Sequence, residues 1–197
     1  MQKRNLALAL ISGAVVVTLY LFIDYWMSTQ PIFISEEQLN HTNLKIPEAN
    51  QLLLQYTTEN GKTISPTYES AVCTEFVIEV LSSQRELSKN DKLAIRIITS
   101  LPLDSLISQN AEVIQGVASA LVRTGNGRSI YEPEDVLPGD LVQFWNIHHG
   151  TAYGHCGIVA DLSPHKTLTL YSSHPATDGF GLQKFLWPDF AYFVRLN

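Results

Sequence analysis

The hydrophobic period of this 197-residue chain changes once, and that change limits the folds open to it. Upstream of Pro138-Gly139 the apolar residues recur at helical spacing; downstream they alternate. In TYESAVCTEFVIEVLSS (67–83), Cys73, Phe76, Val77, Val80 and Leu81 fall on one helical face, with Thr67 or Ser70 as the candidate cap. Residues 89–99 predict a second helix, capped by Ser88 with Asp91 three positions on, and turning Leu93, Ala94, Ile97 and Ile98 inward. Residues 110–122 predict a third, which buries Val113, Ile114, Val117 and Leu121 and stops at Gly125-Asn126-Gly127. After the turn, DLVQFW (140–145), HCGIVAD (155–161), TLTLYSSH (167–174) and AYFVRL (191–196) read as strands. Helices first and strands after predict an α+β fold, with helices packed on one face of a small antiparallel sheet.

The N-terminus adds a separate element. Lys3 and Arg4 precede an uncharged, mostly apolar run over residues 6–23. A membrane-spanning helix needs about 17–25 such residues, whereas the apolar core of a cleaved signal is roughly 7–15. The run continues into Asp24, Tyr25 and Trp26 without a small-x-small site, and the two aromatics suit a membrane interface. We read residues 1–27 as an uncleaved signal anchor; a cleaved signal and a buried helix are the alternatives. With Lys3 and Arg4 held in the cytoplasm, the body of the protein lies on the extracytoplasmic side. Residues 28–64 read as a juxtamembrane linker with Pro31 and Pro47, then a short helix around Leu52, and residues 65–197 as the functional domain. The net charge of −6 and the lack of a Lys/Arg block exclude an evident nucleic-acid partner.

The stretch HHGTAYGHCGIVAD (148–161) gathers three histidines and a cysteine, and it has two readings. Zinc favours imidazole and thiolate, so His148, His149, His155 and Cys156 form a candidate ligand set. Strand alternation opposes it, because His155 and Cys156 point to opposite faces and no second ligand pair follows. No metal and no other cofactor is expected. The alternative divides the roles. Cys73, early in a helix, has its thiol pKa lowered by unpaired N–H groups and the helix dipole. His155, opening a strand, then serves as its base or ion-pair partner. The chain's only other cysteine, Cys156, is expected to be a buried free thiol that faces away from the site.

Taken in order, AVCTEFV, LPGDLVQFW, GHCGIV and YSSHPATDGFG resemble the NlpC/P60 group of papain-like cysteine peptidases and amidases, over roughly residues 67–196. The resemblance implies a papain-like α+β domain with Cys73 as nucleophile and His155 as base. It also implies a third polar residue on the following strand that orients the histidine; there the candidate is His174, with Ser172 and Ser173 behind it. Strand parity places Leu168, Leu170, Ser172 and His174 on the helix-facing side. The nucleophile context departs from the group's usual Asp-Cys-Ser-Gly, and Glu75 two residues on opposes thiolate formation if it points inward. What the resemblance implies is a membrane-anchored thiol hydrolase that cleaves amide bonds in the peptide stems of peptidoglycan. The alternatives are a thiol acyltransferase or amidase on another substrate, and a non-catalytic binding domain on the same fold.

Overall fold

A computed structural model describes residues 32–39 and 45–197. The anchor expected at residues 1–27 lies outside the described residues. Among those described, no helix is long and apolar enough to cross a membrane.

The domain is α+β. A two-residue strand β1 (Ile32–Phe33) leads to five helices: α1 (Glu48–Ile64), α2 (Cys73–Ser82), α3 (Lys89–Ile95), α4 (Leu103–Ser108) and α5 (Val117–Arg123). Six strands follow: β2 (Gly127–Ile130), β3 (Leu141–His148), β4 (Thr151–Ser163), β5 (Thr167–His174), β6 (Gly179–Leu186) and β7 (Phe190–Leu196). All pair antiparallel, in the order β1-β6-β5-β4-β3-β7-β2.

Several sequence expectations change. The helix near Leu52 is not short but spans 17 residues, with Leu53 and Thr57 buried. The capping box of Ser88 and Asp91 forms, yet α3 stops at Ile95 because Ile97 takes a positive φ of 53°. Ile98 is consequently 67% exposed and Leu93 also faces outward, against the expected inward set. The helix expected over residues 110–122 is split. Glu112–Gln115 forms a 3-10 turn, and α5 begins only after Gly116 at φ 52°. α4, β2 and β6 have no counterpart among the expected elements.

Two buried layers position everything else. On one side Leu53, Phe76, Val80, Leu81 and Leu121 from the helices meet Leu141, Cys156, Ile158, Tyr171, Leu182 and Val194 from the sheet. The opposite face buries a second cluster built from strands and their connections: Ile130, Val136, Val142, Phe144, Val159, Leu168, Leu170, Phe185 and Phe193. This second core requires curvature. β3 and β6 are three strand spacings apart, roughly 14 Å in a flat sheet. Yet the rings of Phe144 on β3 and Phe185 on β6 have centroids 5.1 Å apart. The sheet curls, and its concave face is filled with side chains.

This corrects the parity argument. Both faces are apolar, so the leucines of TLTLYSSH do not mark the helical side. Leu168 and Leu170 point into the concave core, and Tyr171 points to the helices.

The PGD turn is fixed by charge. Arg195 holds both carboxylate oxygens of Asp140 at 2.7 Å. Asp140 also accepts from the Leu137 N–H at 2.8 Å and from Asn50 Nδ2 at 2.9 Å. Asn50 donates as well to the Pro138 carbonyl at 2.9 Å. Gly139 is required twice over, by a φ of 87° and because a Cβ there would lie 2.6 Å from Asn50. Asp140 is fully buried and Arg195 is 7% exposed. We expect Asp140→Ala to strand the guanidinium in the core and cost about 3–5 kcal/mol. Urea unfolding should show it as a lower midpoint at unchanged slope.

Candidate active site

α2 starts at Cys73 itself, later than the sequence pattern suggests. Ser70 instead closes a separate turn, its hydroxyl donating to the Thr67 carbonyl at 2.6 Å. The first bond of the helix runs from the Phe76 N–H to the Val72 carbonyl at 2.9 Å. The N–H groups of Cys73, Thr74 and Glu75 therefore lie outside the intrahelical ladder, at the positive end of the dipole. The approach to Cys73 is tied to the sheet. Ser65 donates its hydroxyl to the Ala71 carbonyl at 3.0 Å and lies 2.8 Å from Ser173 Oγ, whose own hydroxyl is free to donate to it, and the Phe180 N–H donates to the Ser65 carbonyl at 2.9 Å.

The half-buried thiol of Cys73 has its pKa held well below the ordinary thiol value of 9.0. The largest cause is a hydrogen bond from the side chain of Cys156, opposed by burial. The charge of His155, a side-chain hydrogen bond with His155 and the backbone of Cys156 add to the lowering. His155 thus acts on the Cys73 thiol. Cys156 is buried and free, as expected, but it is not remote from the site; it is the thiol's hydrogen-bond donor. Its own pKa is pushed well above 9.0 by the bond to Cys73 and by burial, so it stays a thiol.

The orientation of His155 is settled by a residue that the sequence reading missed. His155 Nε2 lies 3.2 Å from Oε1 of Gln183 on β6. The amide of Gln183 cannot be turned around, because its Nε2 donates to the Ser172 carbonyl at 2.9 Å, a group that only accepts. A further bond to Thr177 Oγ1 at 3.1 Å holds the same end. Oε1 therefore faces the imidazole, His155 carries its proton on Nε2, and Nδ1 is the nitrogen left for Cys73.

His174 does not take the orienting role expected of it. Its ring stands edge-on beside His155, with centroids 5.1 Å apart. Its Nδ1 accepts the Ala176 N–H at 3.0 Å, so its proton sits on Nε2 and neither nitrogen is free to accept from His155. Burial, then the charge of His155, push its pKa from 6.5 down to about 4. Ser172 donates to the Cys156 carbonyl at 2.6 Å, and Ser173 serves the Ser65 contact; neither touches His155 in this network. His148 and His149 stand edge-on to each other at the hairpin turn between β3 and β4, with centroids 4.4 Å apart.

Two further groups shape the site. Arg96 grips Glu75 with two bonds of 2.6 and 2.7 Å and holds its carboxyl below the usual range, so this carboxylate is neutralised by its own partner. Tyr68 was not singled out in the sequence. Burial, then the negative charge of Cys73, raise its phenol pKa, which leaves an O–H donor near the thiol.

Against family models, curated proteins and solved structures, the chain has no match in any of the three comparisons.

Three outcomes follow from this geometry. Cys73 should alkylate far faster than Cys156, and its rate should already have risen at a pH well below 9.0, falling again as acid protonates the thiolate. Gln183→Ala should slow that reaction near neutral pH, while Ser173→Ala should leave it within about twofold, since a general base depends on its orienting partner. The lowered pKa of His174 makes stability depend on pH. Between about pH 6.5 and about 4 the unfolded chain binds a proton that the folded one does not. Stability is therefore fully present above the unfolded value and lost as pH falls through this window. His174→Gln should flatten that part of a urea-midpoint against pH profile.

Proposed function

We propose that this protein is a papain-like thiol hydrolase of the NlpC/P60 kind, acting on amide bonds in the peptide stems of peptidoglycan. The reading rests above all on one observation: the Ser172 carbonyl fixes the Gln183 amide, the amide fixes the His155 tautomer, and the tautomer leaves Nδ1 for Cys73. A residue that merely filled the core would need no such directed chain.

In the proposed reaction the Cys73 thiolate attacks the amide carbonyl. The developing oxyanion lies near the unpaired N–H groups of the first turn of α2 and the Tyr68 hydroxyl. Each donor aimed at such an oxygen lowers the barrier by about 3 kcal/mol. His155 then passes the proton from Nδ1 to the departing amine, and a thioester forms at Cys73. Water, deprotonated by the same nitrogen, attacks the thioester and releases the carboxylate. Gln183 keeps its Oε1 on Nε2–H throughout and stabilises the imidazolium stage. No cofactor enters these steps. The N-terminal apolar run supports a membrane anchor over residues 6–23 with the catalytic domain on the extracytoplasmic side, within reach of a wall substrate.

Digestion of purified peptidoglycan by the full-length protein, with the fragments identified by mass, tests the reading. New stem-peptide ends should appear with the parent and disappear with Cys73→Ala. The same fragments from both proteins, or none from a parent whose Cys73 alkylates rapidly, would sink it.

A further inference from the structure

Gln183 aims the imidazole of His155, but a single bond cannot aim Gln183. The contact of its Nε2 with the Ser172 carbonyl at 2.9 Å decides which end of the carboxamide faces which way. It leaves the flat group able to turn about that contact. The amide nitrogen carries two hydrogens, and a second acceptor is what fixes the plane. Thr177 Oγ1 supplies it at 3.1 Å, and the Gly181 carbonyl stands further off at 3.3 Å. With both hydrogens held, Oε1 keeps one direction, 3.2 Å from His155 Nε2. Thr177 is itself locked. Its hydroxyl donates to the Gly179 carbonyl at 2.6 Å, so lone pairs are what it turns to Gln183. Its methyl fills the space left by Gly181, where a Cβ would lie 2.7 Å from Thr177 Cγ2. The residue ends a 3-10 turn, Pro175–Thr177, and His174 caps that turn. His174 Nδ1 accepts the Ala176 N–H at 3.0 Å, and its carbonyl lies 3.1 Å from Thr177 Oγ1. The Asp178 N–H closes the turn on the Pro175 carbonyl at 3.1 Å.

We propose that Thr177 is a positioning residue for His155, acting through Gln183, and that His174 acts one step further back by capping the turn that presents Thr177. The path runs from the His174 ring to the Ala176 N–H, through the turn to Thr177 Oγ1, across to Gln183 Nε2, and from Oε1 to the imidazole. His174 thereby affects His155 without accepting its proton. Removing the Thr177 hydroxyl leaves one amide hydrogen of Gln183 without its acceptor. The carboxamide then turns about the Ser172 contact, and Oε1 swings off the axis of Nε2–H, where a hydrogen bond weakens steeply. As part of a reaction this rests on the reading of His155 as the base for Cys73. The clamp itself is measurable without any substrate.

Full-length protein carrying Cys73→Ala serves as the reference, because no thiolate then stands beside the imidazole. Nuclear magnetic resonance follows the exchange of the His155 Nε2–H with solvent, which reports its bond to Gln183. Thr177→Val keeps the shape and the methyl but removes the hydroxyl. It should speed that exchange roughly tenfold, and Thr177→Ser should stay within about twofold of the reference, as the loss or retention of one hydrogen bond requires. His174→Ala should speed it too. His174→Asn, whose side chain accepts from the N–H two residues on, should restore it. Core-strand amides in the same spectra should not change, which separates the clamp from a general loss of stability. Reference exchange in Thr177→Val, or exchange in Thr177→Ser as fast as in Thr177→Val, overturns the proposal. A His174→Asn protein that behaves like His174→Ala overturns the part given to His174. Where Thr177→Val does not fold, the reference protein decides: both Nε2 hydrogens of Gln183 should be protected, and one that exchanges like a surface amide overturns the clamp. With Cys73 restored, Thr177→Val should move the acid limb of the alkylation profile to higher pH, and Thr177→Ser should return it. Faster Nε2–H exchange with an unmoved limb upholds the clamp but removes His155 from the chemistry of the thiol, and the hydrolase reading with it.

Discussion

The curl of the sheet is the constraint on which the site depends. His155 and Gln183 stand on β4 and β6, with β5 between them. In a flat sheet their backbones would be roughly 10 Å apart. Curvature brings the inner side chains toward one another, and the floor between them is made of small residues. A Cβ on Gly157 would lie 2.8 Å from the Tyr171 carbonyl and 3.0 Å from Ser172 Cβ, so the strand two residues beyond His155 admits only hydrogen there. Gln183 reaches over this floor to the imidazole. Its length matters: an asparagine is one methylene shorter, and it would have to choose between the Ser172 carbonyl and His155.

Burial is what turns this contact into a directional device. Gln183 is fully buried and His155 is 8% exposed, so neither can exchange its partner for water at low cost. Each polar atom on the path then has one arrangement that satisfies it. The carbonyl of Ser172 demands a donor, the amide nitrogen supplies it, the amide oxygen demands a donor in turn, and Nε2–H supplies that. Reversing any member leaves two acceptors or two donors face to face, and such a buried mismatch costs about 1–3 kcal/mol. The curled hydrophobic sheet is in this sense also the source of the imidazole's polarity.

Legibility in the sequence followed the range of the interactions. Period and local motifs made the α+β class, the helix carrying Cys73, the capping box at Ser88 and a strand carrying His155 readable, because each is decided within a few residues, although that strand opens at Thr151 and not at His155. Gln183 was not readable. Its partner is 28 residues away, and its strand, GFGLQKFL, lacks the clean alternation that marks β5. The face of β5 was misread for a related reason, since alternation identifies a core side only when the other side is wet. The concern over Glu75 likewise dissolved through a residue 21 positions off, Arg96, which caps the end of a different helix. Gly116 broke the third helix through contacts that no local pattern encodes; a Cβ there would meet Ile97 and Gln143 at 2.9 and 3.0 Å.

Adjacent residues on one strand do opposite work at this site, and alternation explains how both serve one sulfur. Position 156 belongs by parity to the helix-facing core, where alanine or valine would satisfy packing alone. A thiol there contributes something an aliphatic side chain cannot, a weak donor that favours the thiolate form of Cys73 in a setting where burial disfavours it. His155, on the other parity, supplies the charge and the second hydrogen bond. The Cys73 thiol at the start of α2 thus draws its acidity from both faces of β4 at once. Helix dipole, buried thiol and oriented imidazole act on the same atom from different directions, so losing one leaves the others in place but shifts the balance with desolvation.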